Sequence, residues 1–210
     1  MKIDCIGVNC SECCQRYWIT LLPAEAKRIA SALKLPITEF IEKKCILIAH
    51  IYPAQKPKPL TISTQSLPAK LLAFAKKEIP QLPEQFLVLP SIALKRNAKG
   101  NCSLLKKGRC KVYDVAPEVC RLFPFISIGK FPLRNAYPFC LGLRQPGFEK
   151  AKGGLDSKQK KRVNKYFDTV KKKPFTSVWK ALPKTAVILL DGEKELKISK
   201  KDFIKMLESF

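Results

Sequence analysis

The sequence predicts an α+β fold: a compact, loop-rich domain organised around clustered cysteines, with short helices and β-hairpins, followed by a small basic α/β extension. Three observations point there. Segments with helical spacing of apolar residues alternate with short apolar runs bounded by turn residues. Sixteen prolines divide the chain into many short elements. Eight of the nine cysteines fall into two groups separated by a long interval that holds only Cys45.

The elements follow in order. PAEAKRIASALK places Pro23 in the first helical turn, with Ile29, Ala30 and Leu33 as apolar positions, so an amphipathic helix is expected there. ITEFIEK predicts a second, short helix. Between Ile51 and Leu67, Pro53, Pro57 and Pro59 predict an irregular connection or edge strands. PAKLLAFAKKEI repeats the helix signature with Leu71, Leu72, Phe74 and Ala75. GNCSLLKKGRCKVYD predicts a β-hairpin with Cys102 on one arm, Lys106, Lys107 and Gly108 in the turn, and Cys110 and Tyr113 on the return. In APEVCRLFPF, Pro117 opens a helical turn that presents Cys120, and Pro124 ends it.

Gly147, Gly153 and Gly154 mark an expected boundary near 145–155, dividing a cysteine-bearing domain at 1–145 from a basic extension at 146–210. In the extension, Asp156 caps a lysine-rich helix with Val163, Phe167 and Val170 on one face. AVILLDGEKELKIS predicts a strand pair around Asp191-Gly192. Ser199 and Asp202 then form a capping box for a last helix containing Phe203, Ile204 and Leu207.

Forty Lys and Arg against seventeen Asp and Glu give a formal charge of +23, enough to attract RNA, an acidic protein or an anionic surface. Only eight of the forty are arginine, the residue with the planar fork that clamps phosphates in two places. Lysines spread along the chain, densest at Lys158, Lys160, Lys161 and Lys165, predict a solvated coat ahead of a specific nucleic-acid site. The start MKIDCIGVNC lacks the apolar run of a secretory signal, and no stretch reaches the roughly eighteen apolar residues of a membrane span. A cytoplasmic protein with reduced thiols is expected, and there clustered cysteines predict metal binding.

The first group is C-x4-C-x2-C-C, formed by Cys5, Cys10, Cys13 and Cys14; the second is formed by Cys102, Cys110, Cys120 and Cys140. A C-x-x-C turn directs two thiolates at one point, and ligands from elsewhere in the chain close the shell. Neighbours such as Cys13 and Cys14 rarely meet one mononuclear site, so they point to a cluster of several irons or to two four-coordinate sites. Thiolates suit iron and zinc alike. Cys10, Cys13, Cys14, Cys110 and Cys120 lead the candidate ligands, with Cys102, Cys140 and Cys5 behind them. Isolated Cys45, followed by ILIA, is expected in the core. Arg121, next to Cys120, either supports the cofactor by hydrogen-bonding sulfur or makes a surface ion pair. Phe123 and Phe125 are expected to pack over the site.

Cys10-x-x-Cys13-Cys14, ITLLPAE over 19–25, Cys110-x-x-Tyr113 and Pro117-x-x-Cys120-Arg121-x-Phe123-Pro124 together resemble the YkgJ-type cysteine-cluster proteins, a zinc- or iron-chelating domain family with the theme CxxCxxCC. The resemblance covers roughly residues 1–145. It implies metal binding, as an iron–sulfur cluster or as zinc. The family includes flagellin lysine N-methylases, which implies protein lysine methyl transfer as an alternative activity. The chain departs from the theme twice: Cys5 lies further back than the theme's first cysteine, and Ala116 stands where relatives carry arginine before the proline.

Other chemistries lack their residues. The only histidine, His50, sits inside ILIAHIY, where core packing is the expectation over a Ser–His–Asp or Cys–His site. No G-x-G-x-x-G or Walker-type loop is present. The leading expectation is a metal-binding protein; a cluster-dependent methyltransferase and a zinc-stapled RNA-binding module are the alternatives.

Overall fold

The computed structural model describes residues 10–55, 60–126, 133–145, 157–171, 185–190 and 194–208. Cys5, the Asp156 cap, the Asp191-Gly192 turn and residues 146–155 of the expected boundary lie outside them. The fold is α+β, with helices packed on a mixed sheet and a small separate hairpin.

Two ten-residue strands form the centre. β2 (Cys45–Ala54) pairs antiparallel with β4 (Gln85–Leu94) along its whole length, from Cys45 opposite Leu94 to Ala54 opposite Gln85. A nearly continuous apolar run such as CILIA suits a strand covered on both faces, and Cys45 and Leu47 to Ala49 are buried. On the other side of β4 lie β1 (Thr20–Leu21), opposite Ile92 and Ala93, and β3 (Thr61–Ser63), opposite Gln85 to Leu87. Pro90 cannot donate to a ladder, and it falls in the unpaired interval between those two short strands.

β7 (Thr185–Leu190) pairs parallel with β2, Leu47 opposite Ala186 and Ile51 opposite Leu190; β8 (Lys194–Ser199) closes the far edge antiparallel to β7. The order is therefore β1-β4-β2-β7-β8, and residues from the last part of the chain complete a sheet begun by residues 20–94.

One face carries the main core. Leu47, Ala49, Ile51, Phe86, Val88 and Ile188 meet helices α2 (Pro23–Ala32), α3 (Ile37–Lys44), α4 (Ala69–Glu78) and, after β8, the last helix of the chain, whose Phe203 and Met206 are fully buried. Pro23 is the first residue of α2 and Pro68 precedes α4, where the sequence places helix starts; Pro36 precedes α3 in the same way. The last helix is capped by Ser199, whose Oγ accepts from the Asp202 amide at 3.1 Å and donates to Asp202 Oδ2 at 2.7 Å. On the opposite face Ile48, Ala93, Val187 and Leu189 pack with Trp18 and Ile46. There Trp18 Nε1 donates to Glu195 Oε1 at 2.6 Å, and the Arg96 guanidinium lies 4.4 Å from the Trp18 ring.

The cysteine-bearing elements attach at this core. They are α1 (Glu12–Arg16), the hairpin of β5 (Leu105–Lys106) and β6 (Arg109–Cys110), α5 (Glu118–Leu122) and, beyond α6 (Leu133–Ala136), a helical turn at Leu141–Arg144. The lysine-rich α7 (Ser157–Lys171) lays Val163, Tyr166 and Phe167 against Leu122 and Val119 of α5. Tyr166 Oη and Thr20 Oγ1 share a hydrogen bond at 2.9 Å. The helix at Lys200–Leu207 is α8. Among the described residues no helix is long and apolar enough to cross a membrane.

Candidate metal centre

Cys13 and Cys14 lie in the first turn of α1. The Cys14 thiol donates to the Cys13 sulfur, and this bond, helped by the amides of Cys14 and Cys13, holds the Cys13 pKa below the ordinary thiol value despite burial. Cys14 is raised because it keeps the proton of that bond, with burial adding to the effect.

The second group arrives from separate directions. Cys102 is not on the hairpin arm, as the sequence suggested. The turn after Arg96 closes first: Asn97 Oδ1 accepts from Lys99 N at 2.9 Å and Asn101 N at 3.1 Å, and Gly100 takes a φ of +78°, open to glycine without steric penalty. That returns Cys102 to pair with Arg96 and lets its amide donate to the Cys14 carbonyl at 2.8 Å. The hairpin proper is shorter, with Lys106 opposite Arg109 and the two-residue turn Lys107-Gly108, both at positive φ. Tyr113 lies beyond it in a helical turn, Tyr113–Val115. Cys120 sits three residues after Pro117, in the first turn of α5.

Electrostatic interactions link Cys13, Cys14, Cys102, Cys110 and Cys120 to one another, and Cys140 to Cys10 and Cys13. Burial is the main cause that raises Cys102, Cys110, Cys120 and Cys140. Backbone amides oppose it: Leu104 and Leu105 donate to the Cys102 sulfur, Val112 to Cys110, and Leu143 and Gly142 to Cys140. Cys45 lies apart in the sheet, its thiol pushed up to about 12 by burial, with only the charge of Lys95 acting against it.

Amides aimed at sulfur stabilise the thiolate form that a metal requires, so the chemistry of the donor set fits iron–sulfur or zinc ligation. Among the described residues no three His, Cys, Asp or Glu side chains already stand in a coordinating arrangement; the sulfurs are gathered without forming a closed shell.

The exposed Arg121 directs its guanidinium to the Asp114 carbonyl at 2.5 Å, where it braces the chain between Cys110 and Cys120. Phe123 joins Tyr17, Tyr137 and Phe139 in a group of rings 5.0 to 6.3 Å apart, with Arg16 4.6 Å from the Phe139 ring. Phe125 packs with Tyr137, Cys140 and Leu143. His50, on β2, stacks on Tyr52 at 6.3 Å with its Nδ1 enclosed and unpartnered.

One residue near the site escaped sequence reasoning. Glu25 is 3% exposed, and its carboxylate accepts from Leu22 N at 2.7 Å and from Glu118 N, in the helix of Cys120, at 2.5 Å. Burial raises its pKa and the two amides oppose the rise. The available signal was an acid at the third position of a helix opened by proline, which marks a cap without revealing its second partner.

A family model named CxxCxxCC and described as "Putative zinc- or iron-chelating domain" matches residues 4–141. No curated protein and no solved structure matches the chain.

Proposed function

The chain belongs to the CxxCxxCC family of zinc- or iron-chelating domains, and from that premise we propose that it holds an iron–sulfur cluster through thiolates of both cysteine groups. Cys13, Cys14, Cys102, Cys110 and Cys120 are the central donors, with Cys10 and Cys140 beside them. The observation that carries the reading is the set of backbone amides directed at the sulfurs of Cys13, Cys102, Cys110 and Cys140, in contrast to Cys45, where burial alone dominates. Hydrogen bonds of this kind tune the potential of cluster sulfurs.

A cluster would supply electron transfer or an open iron position. The protein's own part is to keep the thiols out of water, to offer amides to their charge and to brace the loops between them. Adjacent Cys13 and Cys14, within a set larger than four, favour a polynuclear iron site over a single tetrahedral zinc.

Protein purified without oxygen and analysed for iron, acid-labile sulfide and zinc tests this directly. Matching iron and sulfide with broad visible absorption is the expected result. A colourless protein with stoichiometric zinc would replace the cluster with a structural zinc site.

A further inference from the structure

We propose that Glu25 and Arg28 act as a two-point clamp that positions Cys120. Pro117 precedes α5 and has no amide hydrogen, so the nearest backbone groups on its two sides are the Ala116 carbonyl and the Glu118 amide. Both are taken by side chains of α2: Arg28 Nη2 donates to Ala116 O at 3.2 Å, and Glu25 Oε1 accepts from Glu118 N at 2.5 Å. Residues three apart lie on one side of a helix, so a single turn of α2 grips the backbone before and after the proline.

The grip reaches the thiol through very little chain. The Pro117 carbonyl accepts from the amides of Cys120 at 3.0 Å and Arg121 at 3.1 Å, so the turn that α2 holds is the turn that carries Cys120. The clamp is also well anchored: Ala26, Ile29 and Ala30 of α2 are buried in the main core, and the second Glu25 oxygen accepts from Leu22 N. From the opposite side, Arg162 of α7 pairs with the Glu118 carboxylate at 2.5 Å.

The proposal rests on the reading of Cys120 as a ligand, and its test keeps the two separable. In metal-free protein kept anaerobic, the alkylation rate of each cysteine is followed by peptide mass spectrometry for wild type, Glu25→Gln and Arg28→Ala, with Arg28→Lys as the conservative partner. Cys120 should react severalfold faster in Glu25→Gln and Arg28→Ala, with Cys45 still protected, and Arg28→Lys should restore most of the protection. Metal affinity should fall about 10- to 100-fold, the range seen when groups supporting a ligand are removed. Unchanged Cys120 reactivity, or a rise that Cys45 follows in step, would overturn the clamp. Wild type that takes up no metal would end the ligand reading, while the labelling pattern would still decide whether α2 holds Cys120.

Discussion

The amide of Cys102 donates to the carbonyl of Cys14 at 2.8 Å, joining the two cysteine groups through backbone alone. Side-chain changes at either residue therefore leave this link in place and alter only the sulfur. Cys14→Ser and Cys102→Ser should each lower bound metal per chain to below half of wild type with the fold retained. Cys45→Ser should do the opposite: metal content unchanged, and stability reduced by about 1–3 kcal/mol because a hydroxyl replaces a fully buried thiol in the sheet. Elemental analysis beside urea unfolding separates the two patterns.

Phe203 anchors α8 in the main core with no exposed surface. Phe203→Ala should cost about 3–5 kcal/mol through lost contacts and the cavity left behind. An unfolding free energy, measured in urea, lowered by less than a third of that amount would mean that α8 contributes little to the core.

His50 is neutral in the folded state because burial lowers its pKa to about 4 from the usual 6.5. The unfolded chain takes up the proton first as pH falls, so stability present above about 6.5 is lost progressively down to about 4, by at most about 3 kcal/mol. In His50→Leu the loss between those pH values should be smaller than in wild type. Parallel stability curves for the two proteins would show that His50 ionises freely when folded.

Glu195 accepts from Trp18 Nε1 and pairs with Arg96 at 3.3 Å, tying the segment before β1 to β8 across the back of the sheet. Glu195→Ala should shift the Trp18 indole N–H resonance and cost about 1–2 kcal/mol, whereas Glu195→Gln, which keeps an acceptor oxygen, should recover most of it. An indole resonance that does not move in Glu195→Ala would remove Glu195 as its partner.

Much of the local structure was legible because its signals are local. Pro23 and Pro68 stand at the starts of their helices, Ser199 and Asp202 form the expected cap, and the lysine-rich helix turns Val163 and Phe167 toward the protein. Cys45 separates from the other thiols because an isolated cysteine in an apolar run has only core to join. What escaped is non-local. Nothing within QFLVLPSIAL tells that β4 pairs with β2 over ten residues, and its proline argues against a central strand until the gap between β1 and β3 is known. Cys102 left the expected hairpin because Asn97 and Gly100 close a turn of their own ahead of it. Glu25 escaped notice because its second partner, the Glu118 amide, lies far along the chain.

The parallel pairing of β7 with β2 also sets a schedule for synthesis. β2 ends at Ala54, but the strand that covers its second edge ends at Leu190. At ~5–20 residues per second, a ribosome needs roughly 7–27 s to pass from one to the other. Both edges of β2 are open until β4 is made, and one stays open until β7 follows; an open edge invites pairing with other chains. The nascent protein thus has need of a chaperone until the last strand arrives and its sheet can close.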